Sequence, residues 1–323
     1  MQRVKIKNLG KIVTGKTPST KKPELFGDKY PFITPSDILT YDVYHIQNTE
    51  RGLSEEGYLS QKNKLLPPKT VCYVCIGSTI GKICLTKKTS FTNQQLNNII
   101  VDQSRYVPEY IYYRLRYETP RIQSISGGTG SGKAIYNKTA FENFQLEIHD
   151  LSLQQKIAAI LSAYDDLIEN NNRRIQILEE MAQRIYRKWF IDFEFPGYKK
   201  IKFIDSELGK IPEGWEVKKL SDIVETQYGY TESASDEIIG PKFLRGKDIN
   251  KNSYIDWNDV PYCKIEPEDY EKYKLNKGDI IIIRMADPGK VGIVEKNIDA
   301  IFASYLIRLK IKNGIDPYYL FYF

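Results

Sequence analysis

The chain has 323 residues, 41% hydrophobic, 27% charged and 12% aromatic, with a formal net charge of +6. That length suits two domains of about 150 residues each, and the apolar and aromatic content excludes a generally disordered chain. There is no apolar run of the roughly eighteen residues a membrane span needs, and residues 1–7 lack the apolar core of a signal peptide, so a soluble, cytoplasmic protein is expected.

Charge is distributed unevenly: net +8 in residues 1–150, +1 in 151–200 and −3 in 201–323. The basic leading part permits nucleic-acid binding but does not prove it. In residues 1–150, β-rich runs such as 71–76 (Val-Cys-Tyr-Val-Cys-Ile) follow turn residues, here Pro67 and Pro68. Residues 111–117 read as a short amphipathic helix, and the whole segment as an α+β domain. The four cysteines do not form a disulfide framework.

Residues 151–195 form a spacer. From Ser152 to Phe190 there is neither Gly nor Pro, and apolar residues fall at Ile157, Leu161, Tyr164, Ile168, Ile175, Leu178, Ala182, Ile185 and Trp189. With Asn171 placed between Ile168 and Ile175 the spacings alternate between four and three, which predicts a coiled-coil helix needing a partner helix. At about 1.5 Å per residue its length is about 58 Å. Asn171 either fixes register through its amide or marks a wetter stretch of the seam. Four aromatics, Trp189, Phe190, Phe193 and Phe195, precede a Pro-Gly stop and suit a helix end docked on a core or a partner.

Residues 196–323 read as a second α+β domain, with a strand at 280–284 after the turn Lys277-Gly278-Asp279. Strings recur between the two domains in one order. Residues 9–15 return at 220–226 and residues 36–38 at 247–249, both at an offset of 211, while 80–83 returns at 288–291 and 107–111 at 316–320, at 208 and 209. On this reading the second copy stops at Phe323, opposite about Arg114, and a complete repeat would need about 70 to 80 further residues.

Residues 15–20 (Gly-Lys-Thr-Pro-Ser-Thr), 30–38 (Tyr-Pro-Phe-Ile-Thr-Pro-Ser-Asp-Ile), 77–82 (Gly-Ser-Thr-Ile-Gly-Lys) and 92–97 (Thr-Asn-Gln-Gln-Leu-Asn) resemble the target recognition domain of type I restriction-modification specificity subunits. Residues 154–158, 178–183 and 189–193 resemble that family's spacer. The resemblance implies two target recognition domains separated by a long coiled-coil helix, reading a bipartite double-stranded DNA target. It also implies methyltransferase and restriction subunits as partners, which carry S-adenosylmethionine, ATP and Mg²⁺; no cofactor is expected in this chain. The second domain departs from the pattern in being incomplete and lacking a second spacer helix. Either the chain is a truncated product or fragment, or another chain supplies the missing half, in which case the Ile157 to Trp189 seam self-associates with an equivalent helix.

A DNA reader needs cations and amides for phosphates, and polar side chains that reach base edges. Lys16, Thr17, Ser19, Thr20 and Lys21 lie on a basic loop suited to phosphate, and Asn93, Gln94 and Gln95 carry amides able to pair with adenine or to satisfy their own loop. Ser78, Thr79 and Lys82 sit in a glycine-bounded turn. In the second domain the candidates are Tyr228, Tyr230, Arg245, Lys247, Arg284 and Lys290.

Motifs that suggest catalysis are weaker, and no catalytic or metal residue is expected. Residues 127–133 approach a phosphate-binding loop, but Ala134 stands where a Ser or Thr must bind Mg²⁺. Asp316-Pro-Tyr-Tyr approaches the Asp-Pro-Pro-Tyr motif of amino-methyltransferases but lacks its second proline and any glycine-rich methyl-donor loop, and Asp205 with Glu216 and Lys218 fits a nuclease pattern that chance supplies. Cys72-x-x-Cys75 and Cys84 suit buried thiols better than zinc. His45 and His149 have no neighbouring triad partners in sequence. The expected function is therefore a noncatalytic DNA-sequence reader, the alternatives being a nucleotide-binding enzyme using the Gly127 to Lys133 loop, or an assembly scaffold.

Overall fold

Short runs of β-branched and aromatic residues, cut by Gly, Pro and Asn, become short strands because they can bury one or both faces only when paired. In a computed structural model, which describes residues 1–39, 43–46, 48–126, 135–249, 255–285, 288–312 and 314–323, they form mixed helix and strand units. The chain divides into two, Met1–Asn171 and Asn172–Phe323.

The first unit contains β1 (Gln2–Lys5), β2 (Gly10–Thr14), β3 (Phe26–Gly27), β4 (Tyr30–Ile33), β5 (Gly52–Leu53), α1 (Glu55–Ser60), β6 (Val71–Val74), β7 (Ile83–Leu85), β8 (Phe91–Thr92), β9 (Leu96–Val101), α2 (Pro108–Ser126), α3 (Lys138–Asn143) and β10 (Gln145–Ile148). A four-stranded sheet runs β2-β9-β6-β7, a second runs β3-β5-β4-β8, and β1 pairs with β10. Alternate side chains of β6 face opposite cores: Val71, Tyr73 and Cys75 pack with α2, while Cys72 and Val74 join Ile33, Ile38 and Cys84. The helix expected at 111–117 extends over all of α2. Its face at Ile111, Leu115 and Ile122 is fully buried, and tertiary packing carries the helix beyond its short periodic signal.

α4 (Leu151–Tyr186) ends in a π-helical turn, Arg187–Ile191, and the division between the two units falls within it. The second unit continues with β11 (Phe203–Ser206), β12 (Gly209–Pro212), α5 (Leu220–Ile223), β13 (Val224–Tyr228), β14 (Lys242–Leu244), α6 (Pro267–Tyr273), β15 (Ile280–Ile283), β16 (Val291–Ile293), β17 (Ala300–Phe302), β18 (Leu306–Ile311) and α7 (Pro317–Tyr322).

The internal repeat is visible in topology. The sheet β13-β18-β15-β16 repeats the order β2-β9-β6-β7, and the parallel pair β14·β17 repeats β4·β8. One register differs from the sequence expectation. Gly15 and Gly229 make the same close approach, each leaving an added Cβ 2.2 Å from a backbone oxygen, of Asn93 and of Phe302 respectively. Lys16 N donates to Thr92 O and Tyr230 N to Phe302 O in the same way. The first strand is therefore offset by 214, not 211. Leu220 begins α5, and a weak string match cannot distinguish that turn of helix from the strand after it.

Candidate nucleic-acid interface

In the first unit, four loops at the ends of β2, β4, β6 and β8 are tied together by their own hydrogen bonds. Gly15 admits the chain against Thr92 and Asn93, where any side chain would collide with backbone. Thr17 Oγ1 then donates to Gln94 Oε1 at 2.8 Å, and Asn93 Nδ2 donates to Gln95 Oε1 at 3.0 Å. Gln95 Nε2 reaches Ile76 O at 3.3 Å, and Lys82 Nζ reaches Pro35 O at 3.4 Å. Gly77 and Gly81, both at positive φ, let the 77–82 turn reverse without strain. Thr17 is thus bound to Gln94, Asn93 to Gln95, and Lys82 to the loop after β4, which holds these residues on adjoining loops. Asn93 is buried and accepts from the Gln95 amide at 3.0 Å, whereas Gln94 is exposed. Lys16, Ser19, Thr20, Lys21 and Ser78 are exposed, and Thr79 is half-buried.

The second unit assembles the same loops from different side chains. Leu96 N donates to Asn93 O as Leu306 N donates to Ala303 O, so Ala303, Ser304 and Tyr305 stand where the first domain has Asn93, Gln94 and Gln95. Val74 N to Lys82 O is matched by Ile283 N to Lys290 O. Thr34 N to Asp37 Oδ2 is matched by Arg245 N to Asp248 Oδ2, at 2.7 and 2.9 Å, which aligns Ser36 with Lys247. Lys247 and Lys290 flank a cavity of 520 Å³ floored by Ile249, Met285 and Tyr305. The Arg284 guanidinium lies 4.5 Å from the centre of the Tyr228 ring. Tyr230 is half-buried against Tyr273. Arg245 is engaged: Nε and Nη2 form a bidentate pair with Asp248 at 2.8 Å, which braces its own turn.

Along α4 the apolar seam is largely exposed: Tyr164 is 66%, Ile168 56% and Leu178 61% accessible. Leu161, Asn171, Ile175, Ile185 and Trp189 are also exposed, while Ile157 and Ala182 are half-buried. The part of α4 inside the first unit docks through Gln154 and a second stripe, Ala158, Asp165 and Glu169, each one residue after a seam position, which sequence reasoning missed. Gln154 Oε1 accepts from Val107 N at 3.0 Å, and its Nε2 donates to His149 O at 2.9 Å. Ala158 is buried, Tyr113 OH donates to Asp165 Oδ2 at 2.5 Å, and His45 N donates to Glu169 Oε1 at 2.9 Å. The spacing of 154, 158, 165 and 169 carries a helical signal, but a polar stripe is not what a search for apolar periodicity detects. Burial and the adjacent Asp165 push the Tyr113 hydroxyl well above its ordinary value.

The Gly127 to Lys133 loop and Ala134 lie outside the described residues. All four cysteines are free and buried; burial pushes the Cys75 thiol up to about 12 and that of Cys263 to about 11. Cys72 and Cys84 are register partners on β6 and β7, a proximity that eleven intervening residues concealed. No described helix is long and apolar enough to cross a membrane.

Known proteins similar to this chain share its two-unit pattern. The type I restriction modification DNA specificity domain family matches residues 1–180 and 212–323. The type I restriction enzyme MjaIX specificity subunit of Methanocaldococcus jannaschii is 33% identical over 290 residues, covering 86% of this chain; this chain spans 64% of that subunit's length. The MjaVIII specificity subunit of the same organism is 31% identical, with 99% of this chain and 73% of that protein covered. A type I restriction-modification S subunit from M. genitalium shares the fold, with a TM-score of 0.56 at 15% identity over 99% of this chain and 75% of that one.

Proposed function

Because this chain belongs to the type I restriction modification DNA specificity family, we propose that it is a noncatalytic reader of double-stranded DNA. Each of its two domains reads one half of a bipartite target and directs methyltransferase and restriction subunits to it. S-adenosylmethionine, ATP and Mg²⁺ act on those partners. One observation supports this reading above the others: the loop framework is repeated in both domains by equivalent backbone bonds, while several displayed side chains differ, Gln94 and Gln95 giving way to Ser304 and Tyr305 and Ser36 to Lys247. A conserved scaffold with exchanged polar tips is what reading two different half-sites requires.

Selection from a randomised duplex pool, with the chain alone and with its methyltransferase partner, tests the proposal. A split sequence should be enriched; no enrichment in either case removes the reading. Within an enriched site, Lys16→Ala should weaken binding across all sequences and lessen its salt dependence, whereas Gln94→Ala should relax the preference at one position. The exposed seam from Leu161 to Leu178 supports a companion reading, that α4 pairs with an equivalent helix of a second molecule.

A further inference from the structure

We propose that His45, Asp166 and Glu169 form a binding site for one divalent transition-metal ion of the zinc class, joining a loop of the first recognition domain to α4. One donor atom from each of the three residues lies within 4.8 Å of the other two. Asp166 and Glu169, three apart on α4, project from one side of the helix. His45 is held against them from the domain: its backbone bridges to Leu85 at the end of β7, its amide donates to Glu169 Oε1 at 2.9 Å, and its ring lies 4.2 Å from that of Tyr44.

The spacing suits a small ion. Donor atoms about 2.0–2.1 Å from a tetrahedral metal are about 3.3 Å from one another. His45 Nδ1 stands 3.1 Å from Glu169 Oε1 and 3.3 Å from Oε2. The Asp166 carboxylate closes the third edge from an exposed position, where turning costs little. One imidazole and two carboxylates with a fourth position open to water match zinc, cobalt or nickel, whereas Mg²⁺ and Ca²⁺ call for more oxygen donors. Among the described residues Lys87 pairs with this group, its Nζ 3.4 Å from Glu169 Oε2 and its side chain 53% exposed. An ion pair with so exposed a lysine is weak, so Lys87 competes poorly with a divalent ion and can swing into solvent. Bound metal would replace the direct contact between His45 Nδ1 and the Glu169 carboxylate with a bridge through the ion, leaving the His45 N and Tyr113 hydrogen bonds that already dock α4.

The chain offers little background for such a test. His149, its other histidine, has Nδ1 2.7 Å from Tyr110 OH, and the four cysteines are buried. Untagged full-length protein stripped with chelator and titrated calorimetrically with ZnCl₂ should bind one equivalent and show a raised unfolding midpoint, with no such response to MgCl₂. CoCl₂ should give the visible absorption of a protein-bound ion. Asp166→Asn, an exposed change, should weaken zinc at least about tenfold while leaving the metal-free unfolding midpoint in place, and His45→Gln should abolish binding. Lys87→Ala should tighten it, which a merely structural hydrogen-bond network would not predict. Failure of the wild-type chain to bind zinc, or equal affinity in wild type and Asp166→Asn, overturns the proposal; if His45→Gln does not fold, the Asp166 and Lys87 variants decide.

Discussion

Asn98 and Arg308 occupy equivalent positions on the central strands of the two domains, opposite Cys72 and Ile281, and each places a polar side chain where the repeat leaves an apolar environment. Asn98 Nδ2 donates to Val13 O and to Thr92 Oγ1, both at 2.8 Å. Asn98→Ala strands these buried acceptors and should cost about 1–3 kcal/mol, read from the urea midpoint. Arg308 donates to Lys274 O at 2.6 Å and to Gln227, and its Nη1 is 3.5 Å from Asp279 Oδ2. Arg308→Ala leaves a buried carboxylate without its cation and should cost about 3–5 kcal/mol at neutral pH. Burial already holds the Asp279 carboxyl above its ordinary value, against the opposing pull of the Asn276 amide and Arg308. A carboxyl raised on folding contributes stability that is present below its unfolded value, about 3.9, and lost as pH rises through its folded value. The deficit of Arg308→Ala should therefore shrink as pH falls from neutrality toward 4, and a deficit that grew instead would refute this account.

Elements differ in what holds them. β2 and β13 end at glycines because backbone from the following strand pair passes within contact distance, and this close approach positions the loops carrying Lys16 and Tyr230. Gly15→Ala and Gly229→Ala should each force these segments apart at a cost of about 1–3 kcal/mol or more, with the change in hydrogen exchange confined to the mutated domain. α4 has no glycine or proline and is docked in its first half by Gln154, Asp165 and Glu169. Fifteen residues or so are needed for even a marginal isolated helix in water, so its length favours helix formation while tertiary bonds decide which side faces the domain.

For the molecule as a whole, the exposed seam of α4 makes the proposed pairing with a second molecule open to test. Ile168→Lys replaces a side chain that is 56% exposed, so it should leave the unfolding midpoint of the isolated chain within about 0.5 kcal/mol of wild type. Sedimentation should meanwhile show loss of any concentration-dependent dimer. A wild-type chain that remains monomeric at micromolar concentration, or a dimer indifferent to Ile168→Lys, would exclude pairing through this seam.

The sequence by itself determined the mixed helix and strand class, the long helix without glycine or proline, and the existence of a repeat, because each rests on local periodicity or on strings in a constant order. It placed Thr17, Lys82 and the 93–95 amides on loops for the same reason. Tertiary structure alone decided that these loops bind one another, that the first strand repeats at 214, and that Arg245 is engaged by Asp248. It alone brought His45 to Glu169 across 124 positions of chain and Cys72 opposite Cys84. Such pairings depend on where strands cross and which helix face is buried, and these follow from packing of the whole core, to which no short stretch of residues refers.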